Sequence, residues 1–242
     1  NPGEQFPVVG VTGTNGKTTV TFMLEAIIAA SGGTSGVIGT TGHRIAGRHI
    51  PASHTTPEAP VMQALLRQMV DHGCSAGLME VSSIGIAMHR ADAIPFRVAI
   101  FTNFSRDHLD FHANLDEYRD AKAELFRRLM ASDGIAIINA DDPVHEAMTP
   151  TDRETWTYGL GAGARIRGVN LQPTVHGTQF QILTPTGEHS LFLPLVGQHN
   201  VANALAAFAA GIALGIAADT CIAGLENLAT VPGRLEPVKN DA

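Results

Sequence analysis

The sequence predicts an α/β protein of the P-loop type, with a mostly parallel sheet flanked by helices and a small antiparallel β subdomain. Apolar runs alternate with helical patterns as far as Asn139, and a glycine-rich turn joins the first run to the first helix. From Arg165 to Leu193 the pattern changes to short runs separated by Gly and Pro. Repeated strand–helix units imply parallel strands covered by helices, whereas short runs between turn residues are typical of hairpins.

The first unit is a strand, a loop and a helix. Pro7 to Thr12 is a short apolar run bounded by Pro and Gly, which predicts a strand. The helix after it is predicted to stop at Gly32-Gly33. Its apolar residues recur at helical spacing: Val20, Met23, Leu24, Ile27 and Ile28.

Further elements follow the same alternation. We expect a helix near Pro60 to His72, strands near Ala76 to Val81 and Arg97 to Thr102, a helix near Leu115 to Met130, and a strand near Gly134 to Asn139. The hairpins predict a β subdomain at about residues 160–195. Two helical segments, Asn200 to Leu214 and Asp219 to Leu228, close the chain.

Composition restricts the class of protein. The 242 residues are 44% hydrophobic and 16% charged, which suits a folded protein with a sizeable core. A net charge of −7 without long runs of one sign argues against a nucleic-acid or anionic-membrane surface as the partner. The two cysteines, Cys74 and Cys221, are in no metal-ligand spacing, so a reducing cytosol is expected. The first residue is Asn1 rather than Met, so we expect a part of a longer chain.

A phosphate-binding loop is predicted between the first strand and the first helix. Gly13, Thr14, Asn15, Gly16, Lys17, Thr18 and Thr19 lie where backbone N–H groups and the helix dipole can hold phosphate. Lys17 is expected to reach the terminal phosphates and Thr18 to hold Mg²⁺. The strict template fails at one position, because Val11 stands where its first glycine belongs.

Two predicted strands end in polar residues. Glu80 closes an apolar run, and Phe101 to Asp110 packs Asn, Asp and His into one loop. Ligands of open α/β sheets bind at the carboxyl ends of strands, so both positions are candidates for metal binding. Taken alone, each is also compatible with an ordinary solvated loop.

One helix stripe contains a lysine. Leu115, Tyr118, Lys122, Leu125 and Leu129 share a face, so Lys122 is expected to point inward. A buried lysine requires a counter-charge, a route to solvent for its ammonium or a chemical modification. A structural salt bridge is the alternative.

Together these motifs resemble the Mur ligase family across nearly the whole chain. They are GTNGKTT at Gly13 to Thr19, TTP at Thr55 to Pro57, EVSS at Glu80 to Ser83, FTNFSRDHLDFH at Phe101 to His112, AK at Ala121-Lys122, INADD at Ile138 to Asp142, GQHNVANALAA at Gly197 to Ala207 and PGR at Pro232 to Arg234. The combination of TTP, EVSS and SRDHLD looks like the type that adds the third residue to UDP-N-acetylmuramoyl-dipeptide. The chain departs from that type at His54, Ile84 and Met88, where Asn, His and Gln are usual.

The resemblance implies roles for individual residues. Gly13 to Thr19, Asn203 and Arg234 would contact ATP, with Lys17 and His108 among the catalytic groups. Thr18, Glu80 and His108 would bind Mg²⁺. Lys122 would be carbamylated and support a second Mg²⁺. The substrate-binding residues would be Thr55, Thr56, Ser82 and Arg90.

The resemblance also implies an ATP-dependent ligase of peptidoglycan precursor synthesis in the cytoplasm. Its substrates would be UDP-N-acetylmuramoyl-peptide and an amino acid. Residues 1–242 would form the central ATP-binding domain, with the N-terminal uridine-nucleotide domain and the C-terminal amino-acid-binding domain outside this chain. The alternatives are a cyanophycin-type or poly-γ-glutamyl ligase, and a P-loop module that binds nucleotide without catalysis.

Overall fold

The first strand lies at the centre of the sheet because both of its faces are apolar. All five residues of Val8–Thr12 are buried in the computed structural model, which describes residues 1–228 and 231–232. Strand Ala76–Glu80 pairs with it in parallel on one side and strand Phe96–Phe101 on the other. A strand covered on both faces reads as a continuous hydrophobic run, which is the pattern seen here.

The strands form one sheet of mixed direction. In chain order they are β1 Val8–Thr12, β2 Ser35–Ile38, β3 His43–Ile45, β4 Arg48–Ile50, β5 Ala76–Glu80, β6 Phe96–Phe101, β7 Met130–Asn139, β8 Glu154–Gly159, β9 Ile166–Pro173, β10 Thr178–Thr184 and β11 Gly187–Leu193. Their spatial order is β11-β10-β9-β8-β7-β6-β1-β5-β2-β3-β4. The pairs from β2 through β9 across the centre are parallel, and the two ends are antiparallel.

The α-helices cover both faces. They are α1 Lys17–Ala30, α2 Ala59–Asp71, α3 Ser83–Ala87, α4 Leu115–Glu124, α5 His145–Met148, α6 Gln198–Ala213 and α7 Ala218–Glu226. One core cluster joins α1, α6 and α7 to one face, and a second joins α2 and α4 to the other. Adjacent residues of β1 belong to different clusters, as alternation along a strand requires: Val9 to the first and Val8 to the second.

The predicted fold class is confirmed, with differences in detail. The sequence did not predict β2, β3, β4 or β8. The helix expected as far as Met130 is α-helical only to Glu124 and continues as one wider π turn over Leu125–Leu129. The strand expected from Gly134 already begins at Met130.

The antiparallel strands β9, β10 and β11 lie where hairpins were expected. They continue the central sheet, because β8 pairs in parallel with β9 through Tyr158–Ile166 and Gly159–Arg167. Their division into a subdomain stays a prediction. Among the described residues no helix is long and apolar enough to cross a bilayer.

Candidate functional site

A cleft of about 1080 Å³ lies at the carboxyl ends of the central strands. Strands β6, β1, β5 and β2 are consecutive neighbours in the sheet, so the segments that follow them emerge side by side. From β1 the chain continues to β2, which lies to one side of β1 in the sheet, and it later reaches β6 on the other side. Open α/β sheets form a binding crevice where the strand order reverses in this way.

Most of the predicted site residues line this cleft. They are Thr14, Asn15, Gly16, Lys17, Thr18, Thr19, Thr55, Thr56, Glu80, Ser82, Arg90, His108, Lys122 and Asn203. Gly13, the first residue of the loop, does not line the cleft, but its carbonyl oxygen accepts hydrogen bonds from Lys17 Nζ and Lys122 Nζ, which do. Arg234 lies outside the described residues.

The phosphate loop depends on two glycines with positive φ. Gly13 has φ +140° and Gly16 has φ +89°, a region that other residues rarely adopt. A Cβ at Gly13 would collide with Thr102 Oγ1, and one at Gly16 would collide with Asn203 Oδ1. The loop therefore runs close to its neighbours and delivers the chain to the first turn of α1, where free backbone N–H groups favour an anion.

Lys17 is the first residue of α1 and folds back over the loop. Its ammonium donates hydrogen bonds to the carbonyl oxygens of Gly13 and Thr14, each at 2.8 Å. These hydrogen bonds hold the Lys17 ammonium against the loop, within the cleft. This position suits neutralisation of a bound phosphate.

Glu80 is the buried carboxylate of the cleft, with 1% of its surface exposed. Its Oε2 accepts hydrogen bonds from Thr18 Oγ1 at 3.0 Å and Thr40 Oγ1 at 2.9 Å, and its Oε1 accepts one from Thr40 N at 3.0 Å. Sequence reasoning missed Thr40, because a threonine after a four-residue strand carries no distinctive pattern. Within the described residues Glu80 forms no salt bridge.

The oxygen atoms that Thr18 and Glu80 offer fit Mg²⁺ better than a metal ion whose ligands all come from the protein. No group of three or more His, Cys, Asp or Glu side chains is arranged as a metal site in the part of the chain that the structure describes. Thr18 and Glu80 instead offer adjacent oxygen atoms beside the phosphate loop. Mg²⁺ typically binds one or two carboxylates together with substrate phosphates and water.

His108 lies at the opposite wall of the cleft, on the loop after β6. Its side chain is 38% exposed, its φ is +51°, and its Nε2 lies 3.7 Å from Asp107 Oδ2. Its ring meets the Tyr118 ring edge-on at 5.8 Å between centroids. The ring is thus accessible from the cleft.

Lys122 points inward, as the stripe on α4 predicted, and is 1% exposed. Its Nζ donates to Gly13 O at 3.0 Å and lies 4.3 Å from the centre of the Tyr118 ring. Burial, and secondly the charge of Lys17, lower the pKa of Lys122 well below its usual value. The prediction was wrong for Leu115, which is 41% exposed because it is the first residue of α4 and faces solvent.

Three of the residues predicted to bind the muramoyl-peptide, Thr56, Ser82 and Arg90, form one hydrogen-bonded cluster, whereas the Thr55 hydroxyl contacts Thr40 Oγ1. Thr56 Oγ1 donates to Glu80 O at 3.0 Å and accepts from Ser82 N at 3.0 Å. Arg90 is 8% exposed, donates to Thr56 O at 3.0 Å, and lies 2.6 Å from Glu58 Oε1. These contacts fix the Arg90 guanidinium at the edge of the cleft, near the carboxyl ends of the central strands.

The start of α6 packs against the phosphate loop through Asn203. Its Nδ2 donates to Asn200 Oδ1 at 3.3 Å, one turn earlier, and its Oδ1 faces Gly16. The amide is 6% exposed and lines the cleft. A side-chain amide at this position can contact a polar group next to the bound phosphates.

Two further residues hold the loop after β6; both lie in segments that the sequence analysis quoted, but neither was assigned this role. Asn103 Oδ1 accepts from Asn15 N at 2.9 Å, joining this loop to the phosphate loop. Asp142 is 7% exposed, and its Oδ2 accepts from Phe104 N at 2.7 Å. The INADD segment contained Asp142, but only the structure relates it to the distant loop.

Comparison with known proteins gives a consistent family. A family model described as the Mur ligase middle domain matches residues 11–211. A protein of Geobacter sulfurreducens named UDP-N-acetylmuramoyl-L-alanyl-D-glutamate–2,6-diaminopimelate ligase is 43% identical over 246 residues, covering 99% of this chain and 48% of that protein. A Gloeobacter violaceus protein of the same name is 44% identical over 237 residues, with 98% and 48% coverage.

Solved structures agree with this relationship. A structure titled with the same ligase name superposes with a TM-score of 0.89 at 30% identity, over 98% of this chain and 49% of that one. The folylpolyglutamate synthase of Mycobacterium tuberculosis, complexed with ADP and AMPPCP, has a TM-score of 0.76 at 23% identity over 97% and 61%. At that identity the second likeness concerns the fold alone. The chain spans about half the length of the curated relatives it matches.

Proposed function

Since this chain belongs to the Mur ligase family, whose middle domain it matches, we propose that it is the ATP-binding part of a peptide ligase. The reaction would add the third amino acid to UDP-N-acetylmuramoyl-dipeptide, as the names of its relatives suggest. By the family resemblance alone, it would take place in the cytoplasm. The observation that carries the proposal is the cleft in which the phosphate loop, Glu80 and Lys122 meet.

ATP would bind with its phosphates on the loop from Gly13 to Thr19. The N-terminus of α1 and the Lys17 ammonium both favour an anion here, and two glycines with positive φ shape the loop that leads to them. Asn203, packed against Gly16, is suited to contact the base or sugar side of the nucleotide. Arg234 is assigned to the same nucleotide by the resemblance alone.

Thr18 and Glu80 would hold Mg²⁺, with His108 as a further ligand. When bound, Mg²⁺ would neutralise charge on the phosphoryl oxygens. Glu80 contributes the negative charge, and its hydrogen bonds from Thr18 and Thr40 keep both carboxylate oxygens in one place. A carboxylate that is already oriented loses little freedom on binding a cation.

The proposed chemistry begins with attack of a substrate carboxylate on the γ-phosphate of ATP. The bond between the γ-phosphorus and the bridging oxygen breaks, so ADP leaves and an acyl phosphate forms. Lys17 stabilises the charge on the transferring group, and the loop orients it in line with the attacking oxygen. The amine of the incoming amino acid then attacks the acyl carbon, phosphate leaves, and the nitrogen loses a proton.

The muramoyl-peptide would approach over Thr55, Thr56, Ser82 and Arg90. This cluster occupies the wall of the cleft on the Glu80 side, and Arg90 is the cationic group in it. A guanidinium held by Thr56 O and Glu58 keeps N–H donors in a fixed direction, which suits a carboxylate or phosphate of the substrate. The flanking domains of the full enzyme would bind the uridine nucleotide and the incoming amino acid.

We further propose that Lys122 is carbamylated in the active enzyme. Its neighbours are a carbonyl oxygen and an aromatic ring, and burial lowers its pKa, so a neutral amine able to react with CO₂ is accessible. The nitrogen adds to the carbon of CO₂ and releases one proton. The resulting anion would support a second Mg²⁺.

Lys17→Ala tests the nucleotide assignment. We expect the loss of one ammonium at the phosphates to lower ATP affinity by at least about tenfold, as charged hydrogen bonds contribute about 1.5–3 kcal/mol each. Titration calorimetry with ATP and Mg²⁺ measures this, with Arg67→Ala on the exposed face of α2 as the control. Equal affinity in wild type and Lys17→Ala would refute the assignment.

A further inference from the structure

Tyr118 does not line the cleft but packs against three residues that do, Phe104, His108 and Lys122. It belongs to α4 and is 0% exposed. Its ring lies 5.0 Å from the Phe104 ring and 5.8 Å from the His108 ring, measured between centroids, and Lys122 Nζ lies over it at 4.3 Å. One buried side chain therefore touches the loop after β6 and the buried lysine together.

The Tyr118 hydroxyl reaches the phosphate loop as well. Its oxygen lies 3.2 Å from Thr14 Oγ1. Thr14 Oγ1 donates its one proton to Ser105 O at 3.2 Å and accepts a hydrogen bond from Ser105 N at 3.0 Å. A hydroxyl has one proton and two lone pairs, so all three contacts form together only when Tyr118 donates to Thr14.

All three hydrogen-bonding positions of Thr14 are thereby filled. Thr14 binds the loop after β6 through Ser105 and α4 through Tyr118. A neighbouring contact reinforces the junction, because Thr14 O also accepts from Lys17 Nζ. Tyr118 is thus one of the links that set the phosphate loop relative to Lys122, beside the hydrogen bond from Lys122 Nζ to Gly13 O. Its hydroxyl contacts the loop and its ring lies under the lysine.

We propose that Tyr118 is a positioning residue that ties the phosphate loop to the Lys122 side of the cleft. The inference rests on the proposed function, in which the loop binds ATP. The hydroxyl and the ring act on different groups, so they are expected to affect different kinetic constants. Removal of the hydroxyl takes away one attachment of the loop, while the ring still supports Lys122.

Tyr118→Phe in the full chain, with its flanking sequence, separates the two contributions. Loss of one buried hydrogen bond corresponds to about a three- to tenfold rise in the KM for ATP. The value of kcat should stay within about twofold of wild type, because the ring remains in place. Tyr158→Phe is the matched control: the Tyr158 hydroxyl is equally buried and donates to Phe101 O at 3.0 Å rather than to a residue of the phosphate loop.

A double-mutant cycle with Thr14→Val tests whether the Tyr118 hydroxyl acts through Thr14. If the hydroxyl acts through Thr14, the double variant Thr14→Val/Tyr118→Phe should raise KM less than the product of the two single effects. Multiplicative effects would overturn the inference. An unchanged KM in Tyr118→Phe would also overturn it, because the hydroxyl would then have no effect on ATP binding. An equal rise in Tyr158→Phe would overturn it too, because it would indicate a general loss of stability.

Calorimetric titration of the same variants with ATP keeps this inference separate from the ligase proposal. Full-length wild type that binds ATP but forms no amide bond would contradict the proposed function alone. In that case weaker ATP binding by Tyr118→Phe, with binding by Tyr158→Phe unchanged, would still support the role of Tyr118. Equal binding by all three proteins would overturn it.

Discussion

Glu80→Gln separates the folding role of the buried carboxylate from its role in binding. The substitution keeps the shape of the side chain and removes its charge. Glu80 receives three hydrogen bonds, two of them from threonine hydroxyls that can reorient to accept from the new amide. The side chain has no cationic partner among the described residues.

Two opposing effects of Glu80→Gln on the free energy of unfolding nearly cancel. A hydrogen bond to a charged acceptor contributes about 1.5–3 kcal/mol and a neutral one about 0.5–1.5 kcal/mol, so the three bonds to Glu80 together lose roughly 3 to 4.5 kcal/mol. Against this, the substitution removes the desolvation cost of an unpaired buried carboxylate, which is of similar size. We expect the free energy of unfolding to change by no more than about 1 kcal/mol, with urea denaturation as the measurement.

Binding of ATP with Mg²⁺ should respond far more. Two unit charges 4 Å apart interact by about 4 kcal/mol at an effective dielectric constant of about 20. If desolvation cancels about half of this, roughly 2 kcal/mol remains, which is about a 30-fold increase in Kd. Titration calorimetry with and without Mg²⁺ would measure the change, and most of it should vanish when Mg²⁺ is omitted.

Glu25→Gln serves as the control, since Glu25 pairs with Arg44 on the surface of α1 away from the cleft. Its Kd for ATP with Mg²⁺ should equal that of wild type. The reasoning about Glu80 is refuted if Glu80→Gln binds as tightly as wild type, or if its affinity falls equally with and without Mg²⁺.

Two further substitutions have defined outcomes. Gly16→Ala places a Cβ against Asn203 at φ +89°, so the free energy of unfolding should fall by about 1–3 kcal/mol and ATP should bind more weakly. Urea denaturation measures the first effect and titration calorimetry the second. A variant with unchanged stability and affinity would contradict the described loop. Lys122→Ala should abolish phosphoryl transfer in the full-length enzyme, and short carboxylic acids should restore part of it by supplying the missing anion. A purely structural lysine would show no such rescue, as steady-state assays with and without acetate would reveal.

The sequence predicted the elements that have a strong period or a strong boundary. β1 is a continuous apolar run, and α1 ends beside Gly32 as expected. Strands β2, β3 and β4 have three or four residues each, too few for a pattern to emerge. The π turn after Glu124 is also invisible in the sequence, because its residues Leu125–Leu129 still have a helical period.

Cleft residues could be predicted from the sequence where they belong to a motif. Most of the assigned residues line it, and Lys122 is buried as its stripe required. Thr40 and Asp142 were missed because each acts through a distant partner, Glu80 and Phe104 respectively. Long-range hydrogen bonds depend on the order of strands in the sheet, which periodicity does not specify. Which residues contact each ligand stays a prediction.

The open sheet also bears on self-association. A sheet that does not close ends in two edge strands, β4 and β11, whose outer backbone groups are potential templates for another chain. β4 has only three residues, two of them the exposed Arg48 and His49, and Pro51 follows, which cannot donate a hydrogen bond. On β11, Phe192 N instead donates to Glu226 of α7 at 3.3 Å. Short length, charge, proline and a covering helix thus discourage edge-to-edge aggregation at both ends.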